Sequence, residues 1–183
     1  MTPEVFRYVA FDADQIRDVA ANLVASLGLE ACDVAIIVDE TTPLSRIAME
    51  LGEDQITVRV ESGAFEDTRE PRKQSETAVA TSLGRVLLRA RDRLSGGFGE
   101  APPDEELTLA QLAAWETYSV GRLERLGVPV NQQRWRYNFR NRHGFSDVSD
   151  AAFDRLWSSD GLGWGELDEI SRTAATSAPA ATG

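Results

Sequence analysis

The clearest pattern in the chain is a helical repeat of apolar positions between Glu70 and Leu94. Apolar residues recur there at intervals of three and four positions, at Ala78, Val79, Leu83, Val86, Leu87, Ala90 and Leu94. A stripe of this width is typical of a helix that packs against a sheet. We therefore expect this helix to lie at the centre of the fold, with Leu83 and Leu87 in the core.

The residues before this helix predict a strand and one further helix. Val5–Phe11 is an almost continuous apolar run, and it is followed by Asp12 and Gln15, which are spaced as a helix-capping pair. Apolar positions then continue at helical spacing as far as Gly28, a residue that commonly ends a helix. The pattern predicts a strand over the apolar run and a helix over residues 13–27.

Three more strands are predicted between the two helices. Val34–Val38 lacks polar alternation, which is typical of a strand covered on both faces. Residues 47–51 and 56–60 alternate apolar with polar positions around the turn at residues 52–54, which is typical of an antiparallel hairpin with one solvated face. The predicted fold class is therefore mixed α/β (α+β). About four strands form a mixed sheet in the order strand, helix, strand, strand, strand, helix.

Beyond residue 95 the pattern becomes helical. Turn residues without periodicity predict a linker over residues 96–104, between a core of residues 1–95 and a helical extension of residues 105–172 packed on it. Within the extension, residues 131–142 fit either an alternating strand or a helix capped at its first residue, and we favour the helix. The small and polar residues of 173–183 predict a disordered tail.

Composition excludes several kinds of site. The 183 residues include one cysteine, Cys32, and one histidine, His143, so one chain can form neither a disulfide nor a Cys/His zinc cluster. No apolar run approaches the ~20 residues of a membrane span, and the first residues do not resemble a secretory leader. We expect a cytoplasmic protein without membrane association. Phosphate-binding loops and nucleophile elbows are absent, and no cofactor or metal is predicted.

The net charge of −11 is unevenly distributed along the chain. Basic residues dominate two blocks, residues 69–95 (net +4) and residues 122–146 (net +5). The simplest interpretation is that these blocks neutralise the acidic blocks across the fold. On the central helix, Arg85, Arg89 and Arg93 repel one another at intervals of four unless acids or an anion lie near them. They are therefore candidates for binding an anionic ligand or a partner.

Arg136 and Arg140 form a second pair of candidates for anion or partner binding. The segment from Arg134 to His143 interleaves four arginines with Trp135, Tyr137 and Phe139, and such a mixture is also used to hold single-stranded nucleic acid. On a helix Trp135 and Phe139 share one face and the arginine pair another, and the acidic chain repels a polyanion, so nucleic acid is disfavoured as a partner. His143 falls at the predicted end of this helix, where the helix dipole favours a cation.

Carboxylates at two places are candidates for catalysis. Asp39 and Glu40 follow a predicted strand, at the sheet edge where open α/β folds bind ligands, and they are candidates for a hard-metal or general-base pair. No second carboxylate cluster stands at a defined spacing from them, so a solvated strand end is the favoured alternative. Glu76 stands at the start of the central helix, between Ser75 and Val79. This order of elements resembles zincin-type metalloproteases, whose active helix bears His-Glu-x-x-His. The resemblance implies a base role for Glu76, but serine and valine replace both metal ligands, so it implies an inactive copy.

These patterns favour a non-enzymatic ligand-binding or partner-binding module. The expected partner is a protein or a small anionic ligand. The alternative is a small hydrolase, or a zincin-like relic of one, that uses Glu76 or the pair Asp39 and Glu40. A cleft that brings these carboxylates to Arg85 or Arg89 would favour the enzyme.

Overall fold

The computed structural model describes residues 11–176. Its α-helices and strands, in chain order, are α1 (Ala13–Leu27), β1 (Asp33–Asp39), β2 (Ile47–Leu51), β3 (Gln55–Glu61), α2 (Glu76–Leu94), α3 (Leu109–Arg125), α4 (Gln132–His143), α5 (Asp147–Ser158) and α6 (Trp164–Thr176). The chain divides into two compact units between Arg91 and Asp92, within the last turn of α2. No helix in the described range has both the length and the apolar character needed to cross a membrane.

The first unit contains a mixed sheet with the strand order β1-β3-β2. The central strand, β3, pairs in parallel with β1 and antiparallel with β2. Ile56, Val58 and Val60 of β3 are buried and alternate with more exposed residues, because successive side chains in a strand point to opposite faces. The predicted hairpin and its solvated face are confirmed.

The sheet differs from the prediction in strand number and in the burial of β1. Residues 11–176 contain three strands, whereas about four were predicted; the missing one, over residues 5–11, lies outside the described residues except for Phe11, which is not in a strand. β1 is not covered on both faces, since Ile37 is 47% exposed. Apolar composition alone does not reveal which faces a strand buries, because many apolar side chains remain at protein surfaces.

Local sequence signals define several helix ends. Asp12 accepts hydrogen bonds from two backbone N–H groups in the first turn of α1, and Gly28, with φ of 66°, ends that helix. Thr108 and Gln111 form the predicted capping box of α3. Asn131 caps α4, so the segment that fits either a strand or a helix is a helix.

α6 extends past the predicted start of the disordered tail. The helix continues to Thr176, and Ala174 is fully buried. The tail predicted over residues 173–183 therefore begins too early. Alanine-rich sequence resembles a linker in composition, but alanine has the highest helix propensity and needs little space in a core. The remaining residues, 177–183, lie outside the described range.

The second unit is a helical bundle in which α3 packs against α4, α5 and α6 around an aromatic core. Phe98 belongs to this core although it lies in the predicted linker over residues 96–104. Its ring stacks on Trp115 with the centroids 5.0 Å apart, and its carbonyl oxygen accepts a hydrogen bond from the backbone N–H of Trp164 at 2.6 Å. The core residues are Phe98, Ala114, Trp115, Tyr118, Val120, Phe139, Phe153, Leu156, Trp157, Leu167, Ile170 and Ala174.

A buried carboxylate, Asp92, connects the last turn of α2 to α3. Arg122 donates to its two oxygens at 2.7 and 2.6 Å, and the indole N–H of Trp115 donates to Oδ2 at 2.8 Å. The guanidinium of Arg122 lies 3.9 Å from the ring centroid of Tyr118. Asp92 and Arg122 are 6% and 9% exposed, so each charge depends on its protein partners in place of water.

We expect Leu87→Ala to lower the free energy of unfolding by about 2–5 kcal/mol, because it empties a fully buried position on α2. Far-UV circular dichroism during urea unfolding measures the loss. Leu109→Ala is the control: that leucine is 60% exposed, and its loss should cost no more than about 0.5 kcal/mol. A cost below about 1 kcal/mol at Leu87 would contradict its place in the core.

We expect Asp92→Asn to destabilise the second unit by about 3–5 kcal/mol, because it leaves the buried guanidinium of Arg122 without a counter-charge. All four tryptophans lie in residues 92–183, so tryptophan fluorescence during urea unfolding reports on this unit. Adding Arg122→Met should recover part of the loss.

The control for this pair is Asp160→Asn. Asp160 pairs with Arg125 at 3.0 Å, but its side chain is 70% exposed, so its loss should cost less than about 1 kcal/mol. If Asp92→Asn and Asp160→Asn lowered the free energy of unfolding by the same amount, the buried ion pair would contribute no more to stability than the exposed one.

Candidate partner-binding surface

α4 presents three faces with different chemistry. Its inward face carries Trp135, Phe139 and His143 at intervals of four; Phe139 and His143 are buried, and Trp135 packs against the aromatic core. A flanking face carries Arg136 and Arg140, one turn apart. The face opposite the core is exposed to solvent. This division follows from the helical period, which places every fourth residue on one side.

The arginines of the flanking face are held by acids of α5. Arg140 donates to the two oxygens of Asp150 at 2.7 and 2.5 Å, and Arg136 forms an ion pair with Asp154 and lies within 3.8 Å of Asp150. The hydrogen bond from Arg140 lowers the pKa of Asp150 and raises the pKa of Arg140. The structure thus brings the two predicted binding arginines together on carboxylates of the same chain, and their binding to an outside anion stays a prediction.

The exposed face of α4 carries a pair of aromatic rings. Tyr137 is 58% exposed, and Phe145, which follows the end of the helix, is 62% exposed. Their ring centroids lie 6.0 Å apart in an edge-to-face arrangement, a favourable geometry for two aromatic rings. The guanidinium of Arg140 lies 5.8 Å from the ring centroid of Phe145. These contacts define the position of both rings, although both face solvent.

Two further arginines, Arg134 and Arg142, lie before and after Tyr137 along α4, and both are exposed. Neither side chain has an ion-pair partner within residues 11–176. Arg134 stands three positions before Tyr137, on the same side of the helix, whereas Arg142 stands five positions after it, about 140° around the axis. No acidic residue occurs between Arg125 and Asp147. We call the three exposed side chains Arg134, Tyr137 and Phe145 the aromatic-arginine surface.

His143 joins the inward face of α4 to α6. Its Nδ1 lies 3.1 Å from the carbonyl oxygen of Phe139, and its Nε2 lies 2.9 Å from the hydroxyl of Ser171. Because a carbonyl can only accept, Nδ1 donates and Nε2 accepts from the serine. Burial lowers the pKa of the imidazole, which favours this neutral form. The expected cationic role at the helix end is therefore wrong, because the ring lies in the core.

The carboxylates predicted for catalysis belong to the first unit. Asp39 is exposed at the end of β1 and accepts hydrogen bonds from the backbone N–H and the hydroxyl of Thr41 at 2.8 and 2.6 Å, which lower its pKa. Glu40 is half-buried directly after it, and Glu76 is exposed in the first turn of α2. Within residues 11–176, no group of three or more His, Cys, Asp or Glu side chains is arranged to hold a metal ion. Catalysis by these residues stays a prediction.

The three arginines of the α2 ladder have different surroundings. Arg85 is half-buried, and Arg89 is only 3% exposed. Arg93 donates to two backbone carbonyl oxygens of residues 101–102 and to the carboxylate of Asp104 at 2.6 Å. Arg93 therefore fixes the segment before α3, and the binding role predicted for the ladder stays a prediction.

Each unit contains a surface groove. In the first unit, an apolar groove of about 410 Å³ lies between α1 and β1, with Ile16, Val34 and Ile36 in its lining. In the second unit, a groove of about 380 Å³ lies between α5 and α6, and its lining mixes apolar residues with Arg155 and Glu166. Neither groove is lined by the carboxylates predicted for catalysis.

Sequence reasoning considered Arg134 and Tyr137 only as part of a disfavoured nucleic-acid motif, and it did not select Phe145 as a binding residue. Two signals in the chain point to the aromatic-arginine surface: the absence of acids between Arg125 and Asp147, and the helical period. Once Trp135 and Phe139 are assigned to the core, the period places Arg134 and Tyr137 away from it. This separation holds only if the segment is a helix, because in a strand Tyr137 would point to the same side as Trp135 and Phe139.

The described structure defines a mixed α+β chain with a helical C-terminal region. Comparisons with models of protein families, with curated proteins and with solved structures find no match to this chain. Residue roles are therefore assigned from contacts within the chain itself.

We expect the second unit to lose stability as the pH falls below about 6.5, the ordinary pKa of histidine. The unfolded chain binds a proton at that pKa, whereas burial lowers the pKa of folded His143. The contribution is complete above pH 6.5 and decreases as the pH falls toward the folded pKa. Urea unfolding followed by tryptophan fluorescence between pH 7 and pH 5 measures the slope.

His143→Gln provides the comparison, because the chain has no second histidine. The variant should be less stable at pH 7, where it loses the stacking of the imidazole on Phe139 at 3.8 Å, but the slope between pH 7 and pH 5 should be reduced. Equal slopes in the wild type and the variant would contradict the buried neutral imidazole.

Proposed function

We propose that the protein is a non-enzymatic binding module that recognises a partner protein through the aromatic-arginine surface. The observation that carries this proposal is the exposed pair of Tyr137 and Phe145, with ring centroids 6.0 Å apart. Aromatic rings bury a large apolar area on docking, and tyrosine and arginine are enriched among the residues that contribute most to binding. A partner that covers both rings therefore gains free energy from a small contact area.

The surroundings of the pair support a surface that is ordered before binding. Arg140 lies beside the ring of Phe145, and its guanidinium is in turn fixed by two hydrogen bonds to Asp150. Ordering side chains at an interface costs about 0.5–1.5 kcal/mol for each flexible side chain immobilised. Because contacts within the chain already hold these groups, binding a partner costs less free energy for ordering side chains.

A small hydrolase remains the alternative, and it has less support. Asp39 is held in a turn by Thr41, and its lowered pKa makes it a weak general base near neutral pH. Glu76 is exposed in the first turn of α2 and lines neither of the two grooves described above. The binding surface on α4 uses neither residue.

Site-specific photo-crosslinking in the native host cells tests the proposal. The full chain carries p-benzoylphenylalanine at Phe145 or, as a matched control, at Leu109, which is 60% exposed on α3. We expect a crosslinked product of defined mass from Phe145 that does not form from Leu109. Adding Tyr137→Ala should remove most of this product, because losing a central aromatic side chain costs about 2 kcal/mol or more.

Two results would contradict the proposal. One is the same set of products from both positions, which would indicate unspecific capture. The other is the absence of any product at Phe145 in cells where the chain is expressed and folded, as judged by its tryptophan fluorescence.

A further inference from the structure

We infer that a second copy of this chain docks on the groove between α5 and α6, with α5 of each copy against α6 of the other. The inference goes beyond the proposed function, because this groove contains no residue of the aromatic-arginine surface. Charge complementarity carries it. One wall of the groove bears an arginine and the other wall bears two glutamates, so the surface is complementary to itself.

The α5 wall of the groove is a single helical stripe. Its residues stand three or four positions apart and therefore fall on one side of the helix: Val148, Ala151, Ala152 and Arg155. Val148, in the first turn, is 43% exposed, and Arg155, in the last turn, is exposed as well. The side chain of Arg155 has no ion-pair partner within residues 11–176. This wall therefore carries an exposed apolar side chain at one end and an unpaired positive charge at the other.

The α6 wall has the same helical spacing and the opposite charge. Its residues are Glu166, Glu169, Ile170, Thr173 and Ala174. Glu166 accepts a hydrogen bond from the backbone N–H of Gly163 at 3.3 Å, but both glutamates are exposed, and neither forms an ion pair in the described range. A short connection, residues 159–163, joins the two helices, so they run antiparallel. Arg155 and the two glutamates therefore stand at the same end of the groove.

A two-fold axis that runs along the groove gives the two copies a complementary contact. It places the α5 wall of each copy on the α6 wall of the other, with the charged ends of the two grooves together. Arg155 of one copy then faces Glu166 and Glu169 of the second copy. Val148 faces the last turns of α6 of the second copy, near Ala174. Symmetry repeats both contacts, so a single arginine and a pair of glutamates supply two sets of opposite charges.

The same charges disfavour a two-fold axis across the groove. That axis would place α5 against α5 in opposite directions, so Arg155 would meet Val148 of the second copy. Covering a charge with an apolar side chain, without a counter-charge, costs free energy. An unrelated protein would have to present both charges in the matching order, whereas a second copy presents them by symmetry. The second copy is therefore the occupant that the groove favours.

Sedimentation velocity of the full chain tests the inference. We expect a monomer–dimer equilibrium with a Kd of about 1–100 μM, because exposed ion pairs contribute little each. Arg155→Glu places acid against acid in both contacts and should raise the Kd at least about tenfold. Glu166→Arg/Glu169→Arg places base against base and should do the same. Arg91→Glu, at an exposed arginine of the first unit, is the charge-matched control and should change the Kd less than about twofold.

An equimolar mixture of the two groove variants gives a result that a folding defect cannot imitate. In a mixed dimer, one contact keeps the native pair of Arg155 with the two glutamates. The other contact has the same pair with its charges reversed, so both contacts are attractive. Native mass spectrometry distinguishes the two chains by mass. It should detect the mixed dimer under conditions in which each variant alone is monomeric.

Three results would overturn the inference. The first is a wild-type chain that stays monomeric up to about 100 μM. The second is a dimer whose Kd is the same in the wild type and in Arg155→Glu, which would place the second copy on another surface. The third is the absence of a mixed dimer when both groove variants are folded, as judged by tryptophan fluorescence, and each alone is monomeric.

Discussion

The arrangement of the helical unit depends on the buried carboxylate of Asp92. Its oxygens are bound by Arg122 and by the indole N–H of Trp115, both on α3. The same guanidinium covers the ring of Tyr118, whose hydroxyl accepts a hydrogen bond from the backbone N–H of Leu162 just before α6. A buried charge tolerates few other arrangements, because each alternative leaves it without partners or water. The network therefore fixes the helix against which α4, α5 and α6 pack.

Features that depend on neighbouring residues could be predicted from the sequence. The cap of α1 at Asp12, the capping box at Thr108 and Gln111, and the β2–β3 hairpin all follow from spacings of a few residues. The burial of Leu87 follows from the helical period. Such signals act through local hydrogen bonds and through the side of a helix on which a residue falls, and both are set by short stretches of sequence.

Features that depend on which elements meet could not be predicted in the same way. The acid partners of Arg136 and Arg140 stand on α5, 18 and 10 positions away in the chain, and only the packing of two helices brings them together. The burial of His143 against Ser171 of α6 has the same origin. The exposure of β1 is a related case, because an apolar sequence does not determine whether other elements cover one face of the strand or both.

The arginines of α4 show how packing converts one residue type into two chemical roles. Positions that face α5 meet Asp150 or Asp154, and a guanidinium paired in this way fixes helices and orders nearby side chains. Arg134 and Arg142, which are exposed to solvent, have no such partner within residues 11–176. The helical period alone assigns each arginine to its face, whereas the position of the α5 acids decides which face is neutral. The positive charge that α4 exposes to solvent therefore depends on where the chain has placed its own acids, as much as on where it has placed its arginines.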